Sequence, residues 1–244
     1  MTKIRGLGFK KVDDLALKIN PEIKISQKRV IAFIKYYLEY IDNNDGHTYV
    51  SENTLDNAIR DNMNECYEIY KMFKEKQRQD GLFLHFSDDK IGLKSQYNDE
   101  MAIYNILKSL NEYKCTYGID MTAGIQEAEK EQGFEYTEEQ KKEIEKACNS
   151  QVVLITGKAG TGKSSILRGL TKIYENYSIA ACALSAKAAV RITEATNLRA
   201  STIHRLLKYS EVGFFYNEEH RLPNDIIILD EASMVNTKIF LALV

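Results

Sequence analysis

Nine consecutive residues, GKAGTGKSS from Gly157 to Ser165, follow directly on the apolar run VVLIT. Gly157, four intervening residues, then Gly162, Lys163 and Ser164 reproduce the Walker A spacing. The chemistry this spacing suits is phosphate binding. Small residues let successive backbone N–H groups of Gly157, Lys158, Ala159, Gly160, Thr161 and Gly162 turn inward around phosphate oxygens, with the N–H groups of Ser164 and Ser165 beyond them. Lys163 would set a positive charge at the β- and γ-phosphates, and the Ser164 hydroxyl is a ligand of the right hardness for Mg²⁺. The flanks agree: Val152 to Thr156 reads as a buried strand. The segment after the loop, SSILRGLTKIYENY, places Ile166, Leu167, Leu170 and Ile173 on one helical face.

A second pattern lies downstream. IIILDEAS sets a buried strand at Ile226 to Leu229 and two carboxylates, Asp230 and Glu231, at its carboxyl end, where a parallel sheet presents its chemistry. Asp230 would hold Mg²⁺ directly or through water, and Glu231 would polarise the water that attacks the γ-phosphate. Two acidic residues in a loop are common, but their place after a Walker A loop points to an ATPase-type P-loop fold. Gln140, 17 residues before Gly157, reads equally as a solvent-facing helical residue or as a base reader, since its amide can donate to adenine N7 and accept from N6, which would select ATP.

Between the two patterns, Ile179 to Leu184 reads as another strand, with Ser185, Ala186 and Lys187 where it gives way to a helix. That position suits contact with a nucleic-acid backbone. Thr202 and His204 precede a further short helix, and His204 serves either a structural hydrogen bond or a DNA contact. There is no nucleophile or metal partner for it, nor a His/Cys/Asp cluster of nuclease type.

These residues need a scaffold. The chain has 244 residues with 44% hydrophobic content, room for one large or two small domains. No 18-residue apolar run and no signal peptide occur, so no membrane partner is expected, and Cys66, Cys115, Cys148 and Cys182 read as separate cytoplasmic thiols. Net charge is −2, but it is unevenly spread: residues 99–145 carry a local −7 and residues 151–210 a local +7, so a polyanion should prefer the latter.

Near the start, Gly6-Leu7-Gly8 lies among Lys3, Arg5, Lys10 and Lys11. It reads equally as a phosphate-touching or a structural turn. Helices follow at Gln27–Asp42, 52–62 (capped by Ser51) and Glu65–Gln79. Then GLFLHFS and KIGLKS flank a turn at Ser87-Asp88-Asp89. Three helices and a hairpin describe a winged-helix module. The mixed charge of its third helix favours packing over DNA reading. The expected domains are a helical hairpin segment over 1–22, a winged-helix-like unit over 23–98, a helical connector over 99–133 and an α/β ATPase domain over 134–244.

GKAGTGKSS, ALSAKAAVRI, ASTIHRLL and IIILDEASMV, in this order, resemble the motifs of RecD/TraA-type DNA helicases of superfamily 1. EYTEEQ is similar to that family's upstream glutamine motif. Where the family has a Thr and a Gly in its APTGKAA-like motif, this chain has Ser185 and Ala186. The resemblance implies a RecA-like P-loop lobe preceded by a helical hairpin and a winged-helix-like unit. It also implies ATP and Mg²⁺ as cofactors, with single-stranded and tailed duplex DNA as partners, and it keeps phosphate contact open to Ser185; Lys187, Thr202 and His204 are the further candidates for DNA contact. The family's glutamine sensor and second-lobe arginine fall beyond Val244, so the first lobe is expected to be incomplete and the isolated chain no competent motor. A non-motor ATP-dependent switch, or a nucleic-acid-binding accessory protein with a vestigial P-loop, is the alternative.

Overall fold

The computed structural model describes residues 8–113, 119–158 and 160–244. Lys3, Arg5 and Gly6 of the opening turn, Cys115, and Ala159 of the phosphate loop lie outside the described residues. The chain forms two compact units, one of residues up to 101 with 236–238, the other of residues 102–235 with 239–244.

In the first unit, α1 (Phe9–Ile19) starts after Gly8 and α2 (Gln27–Asp45) after Ser26, whose hydroxyl accepts the Arg29 N–H at 3.3 Å. Gly46, at φ +70°, stops α2 in the left-handed conformation that an L side chain resists. β1 (Tyr49–Ser51) leads into α3 (Glu52–Met63), capped by Ser51 as the sequence suggested, and α4 (Tyr67–Asp80) follows a short 3-10 turn. β2 (Leu84–Ser87) and β3 (Lys90–Leu93) form the expected hairpin. The GHTYV segment, read from sequence only as a helix break, supplies β1, which pairs antiparallel with β3 and gives the sheet order β1-β3-β2. Val30, Phe33, Ile34 and Leu38 of α2 pack with Leu55 and Ile59 of α3, Tyr70 and Phe73 of α4, and Leu84 and Ile91 of the sheet. Inside this apolar face sits a buried cation, Arg29, which donates to Asp13 of α1 at 2.7–3.0 Å and to Glu65 at 2.9 Å.

α5 (Lys94–Glu112) runs on from β3. In the second unit, α6 (Met121–Gln132) and α7 (Glu138–Cys148) precede the phosphate loop and α8 (Lys163–Ile173) follows it. α6 lies so close to α8 that a Cβ on Gly124 would stand 2.5 Å from Ile173 Cγ1. Then come β4 (Ile179–Ala183), α9 (Ala186–Thr196), β5 (Ala200–Thr202), α10 (Ile203–Leu206), the small hairpin β6 (Tyr209–Ser210) and β7 (Gly213–Phe214), β8 (Ile226–Asp230) and α11 (Thr237–Leu243).

β5, β4 and β8 form a parallel sheet with β4 central. Its register decides where the candidate residues emerge. Ala183 is paired with Thr202 on one side and Asp230 on the other, so the carboxyl ends of all three strands are level. Ser185, Thr202 and the Asp230–Glu231 pair therefore leave the sheet along one edge.

One expected element is absent. Val152 to Thr156 is not a buried strand: it pairs with no strand among the described residues, and Val153 and Leu154 are 44% and 80% exposed. A β conformation is held by its ladder hydrogen bonds, and none of β4, β5 and β8 offers them to this segment. The same physics qualifies β8. It pairs on one side only, and Ile226 to Leu229 are part-exposed rather than buried.

Candidate nucleotide and nucleic-acid site

The phosphate loop takes its shape from three glycines in backbone states that other residues avoid: Gly157 at φ +157°, Gly160 at +81° and Gly162 at +84°. Space constrains two of them further. A Cβ on Gly157 would lie 2.6 Å from Thr161 Oγ1, and one on Gly162 would overlap Gln140 Nε2. Gly162 is also the N-cap of α8, and no side chain caps that helix end. The first N–H groups of α8 thus remain available for an anion, where the helix dipole favours negative charge. Lys163 Nζ donates to the carbonyl oxygens of Gly157 (2.6 Å) and Lys158 (2.8 Å), folding its charge back over the loop. Thr161 Oγ1 donates to the Lys158 carbonyl at 2.8 Å.

An open cavity of about 560 Å³ lies against this loop. Gln140, Gly157, Gly160, Thr161, Gly162 and Lys163 line it, together with Thr137, Glu139, Glu143 and Ile155. Five of the six loop-side residues come from the phosphate loop, and the sixth, Gln140, comes from α7. Gln140 is held by a capping box: Thr137 Oγ1 accepts the Gln140 N–H at 3.2 Å, and Gln140 Oε1 accepts the Thr137 N–H at 3.0 Å. That leaves its Nε2 directed at Gly162. Immediately upstream, the buried Tyr136 donates its hydroxyl to the Ser165 carbonyl at 2.8 Å, tying this segment to α8. Burial pushes the Tyr136 phenol above its ordinary value, so it stays a neutral donor. Sequence reading missed Thr137 and Tyr136 as site-building residues. The signal for the first was legible, because T-x-x-Q before a helix is a capping-box pattern.

Lys158, Ser164, Ser165, Asp230 and Glu231 do not line this cavity. Asp230 Oδ1 accepts the Glu231 N–H at 2.9 Å, and Glu231 adopts φ +54°, a left-handed state unusual for a non-glycine residue. Arg191 of α9 reaches Glu231, with Nη1 to Oε1 at 3.4 Å. As for the candidate DNA contacts, Ser185 Oγ accepts the Ala188 N–H (3.1 Å) and Thr202 Oγ1 accepts the Arg205 N–H (3.3 Å). Both hydroxyls therefore act as helix caps. Lys187 is exposed in the first turn of α9. The His204 ring packs edge-on to Tyr209 (5.4 Å between centroids) and against Phe214, which places it in the β6–β7 aromatic cluster. No group of three or more metal-ligating side chains of the His/Cys/Asp/Glu type occurs among the described residues. No helix among them is long and apolar enough to cross a membrane.

Comparison with known proteins agrees with this geometry. Residues 140–244 match the AAA domain family, and residues 1–49 match the HHH domain of ATP-dependent RecD2 DNA helicases. The ATP-dependent RecD2 DNA helicase of Deinococcus radiodurans is 37% identical over 109 residues, 44% of this chain and 15% of that protein. The ATP-dependent DNA helicase PIF1 of Trypanosoma brucei brucei is 36% identical over 105 residues, 42% of this chain and 11% of the relative. The RecBCD enzyme subunit RecD of Mycolicibacterium smegmatis is 31% identical over 127 residues, 41% of this chain and 23% of the relative. The matched region thus spans less than a quarter of the length of each of these relatives. Together the matches support the amino-terminal portion of a RecD-type helicase: a P-loop NTPase domain of AAA type preceded by a helical region.

Proposed function

We propose that these residues form the ATP-binding portion of a DNA helicase that couples ATP hydrolysis to translocation on single-stranded DNA and to unwinding of tailed duplexes. The observation that carries the reading is the glycine cradle, with Lys163 folded over its carbonyls and Gln140 fixed beside it. Phosphate oxygens would replace the Gly157 and Lys158 carbonyls as acceptors for Lys163, exchanging neutral partners for charged ones. The N–H groups around Gly160 to Ser165, with Ala159 by its place in the loop, would hold the remaining oxygens. Gln140 Nε2 would donate to N7 of the base.

Ser164 offers a hydroxyl and Asp230 a carboxylate, a donor pair of the hard-oxygen type that suits Mg²⁺ while leaving it several waters. Mg²⁺ there would offset charge on the β- and γ-phosphates. Glu231 would polarise the attacking water. The level carboxyl edge of β5, β4 and β8 favours a DNA path over Ser185, Lys187, Thr202 and His204, with Ser185 and Thr202 supporting it as helix caps. We read residues 1–22 as a helical hairpin segment, 23–98 as a winged-helix-like packing module and 99–133 as a connector to a partial first RecA-like ATPase domain over 134–244.

The test is unwinding of a tailed duplex by the intact protein that carries this segment, with ATP titration alongside. Lys163→Ala should lose most γ-phosphate-dependent affinity and all unwinding. Equal unwinding by the variant would remove the motor assignment. Salt-sensitive DNA binding with no saturable ATP affinity would select the accessory-protein alternative instead.

A further inference from the structure

Glu231, the carboxylate assigned above to the attacking water, is not left to solvent. The parallel register sets Asp230 level with Ala183, so the chain leaves β8 beside the start of α9. Arg191 lies on that helix, and its guanidinium bridges back to Glu231 at 3.4 Å, with the two side chains 60% and 34% exposed. Ala188, Ala189 and Ile192 fix the buried face of α9 against β4. Arg191 lies on the exposed flank of α9 beside that face, four residues after Lys187 and one helical turn away from it. Two cations one turn apart repel each other, and an anion that reaches one of them is attracted by the other as well.

We propose that Arg191 is a positioning residue for Glu231: its ion pair restrains the carboxylate, and a nucleic-acid phosphate arriving at Lys187 competes for the guanidinium and releases it. This rests on the functional reading above and adds to it a residue that couples DNA occupancy to the water-polarising group. An exposed pair of this length is weak in water, which is what allows a phosphate to exchange with it. Arginine also meets phosphate oxygens with the same forked donors that it offers a carboxylate. The coupling is reciprocal: if DNA frees Glu231 from Arg191, removing the Glu231 charge must help Arg191 bind DNA by the same factor.

The experiment is a double-mutant cycle on oligothymidylate binding at low salt, which needs no turnover. Glu231→Gln should bind about three-fold more tightly than the unaltered protein, as expected of one exposed ion pair, and Arg191→Ala more weakly. In the Arg191→Ala background the gain from Glu231→Gln should vanish. A gain that persists without Arg191 would show a general charge effect and overturn the proposal, as would no gain with Arg191 present or no oligonucleotide binding at all. In the intact protein, Arg191→Ala should raise DNA-free ATP turnover and shrink its stimulation by DNA, and Arg191→Lys should keep the stimulation. A parallel fall in both rates would mean mere structural support and would also overturn it. An ATP titration of Lys163→Ala separates the two readings. Loss of binding there with a null cycle rejects Arg191 alone, whereas unchanged ATP binding rejects the nucleotide site itself.

Discussion

Two glycines of the phosphate loop separate backbone strain from crowding. Gly160 and Gly162 share nearly the same positive φ, +81° and +84°. A Cβ on Gly160 meets nothing within 4 Å, while one on Gly162 overlaps Gln140 Nε2. Gly160→Ala should therefore cost about 1 kcal/mol, the left-handed penalty alone. Gly162→Ala should cost about 0.5 kcal/mol more, because the Gln140 side chain must give up its hydrogen bond from the Thr137 N–H to make room. Thermal unfolding of the two variants checks the difference, and ATP titration should show the larger loss for Gly162→Ala. Equal destabilisation would mean that Gln140 does not rest on the loop. Much of this site was legible in the sequence, because the Walker A spacing specifies where glycine, lysine and hydroxyl must fall. The Arg191–Glu231 pair was not: its partners stand 40 residues apart and meet only through the register of a parallel sheet.

Elements were legible where their signals are local. Ser26, Ser51 and Thr137 cap the helices that follow them, and Gly46 and Gly81 end α2 and α4. Strands depend on distant partners, which explains the two discrepancies. GHTYV carries too few residues to announce β1, yet β3 recruits it, while the strongly apolar VVLIT pairs with no strand among the described residues.

The docking of α1 on α2 was equally hidden, since Arg29 falls on an apolar face and its partner lies 16 residues away. Arg29 and Asp13 side chains are 6% and 8% exposed. Removing one partner leaves a buried charge, so Asp13→Ala should destabilise the first unit by about 3 kcal/mol, at the low end because Glu65 and the Lys24 carbonyl remain. Arg29→Met with Asp13→Leu should recover part of that loss in urea unfolding. A double variant no better than Asp13→Ala would show that the pair itself, not relief of an unpaired charge, carries the stability.

The stability of the first unit also depends on pH. Burial alone would raise the Asp56 carboxyl. Hydrogen bonds from Lys74 (2.6 Å) and Tyr70 (2.6 Å) outweigh it and hold Asp56 below its ordinary value of 3.8. The Arg29 guanidinium likewise holds Glu65 below its ordinary 4.5. Depressed carboxyls stabilise the fold fully above those ordinary values, and the contribution is lost as pH falls through the folded-state values. Unfolding of the first unit should therefore become easier as pH drops below the ordinary carboxylate range. The difference between the unaltered protein and Asp56→Asn should narrow there. A difference constant from pH 7 to the acid limit would contradict this.

At the scale of the whole molecule, charge and catalytic completeness set what these residues do by themselves. Net charge of −2 gives no long-range pull on DNA, so attraction must come from the +7 stretch acting within a Debye length of about 10 Å. Binding to single strands should weaken steeply with salt, with Lys187→Ala lowering the slope by about 0.7. Turnover is a separate matter. Among the described residues, the nucleotide cavity presents one cation, Lys163, and two carboxylates, Glu139 and Glu143. Phosphoryl transfer spreads charge over the γ-phosphate oxygens, and its stabilisation commonly needs a positive group opposite the phosphate loop as well. A protein of these 244 residues alone should accordingly bind ATP weakly through Lys163, hydrolyse little of it and unwind nothing. Purified chain with Mg²⁺, ATP and single-stranded DNA provides the measurement. Robust DNA-stimulated turnover, abolished by Glu231→Gln, would show that a cation within these residues completes the site.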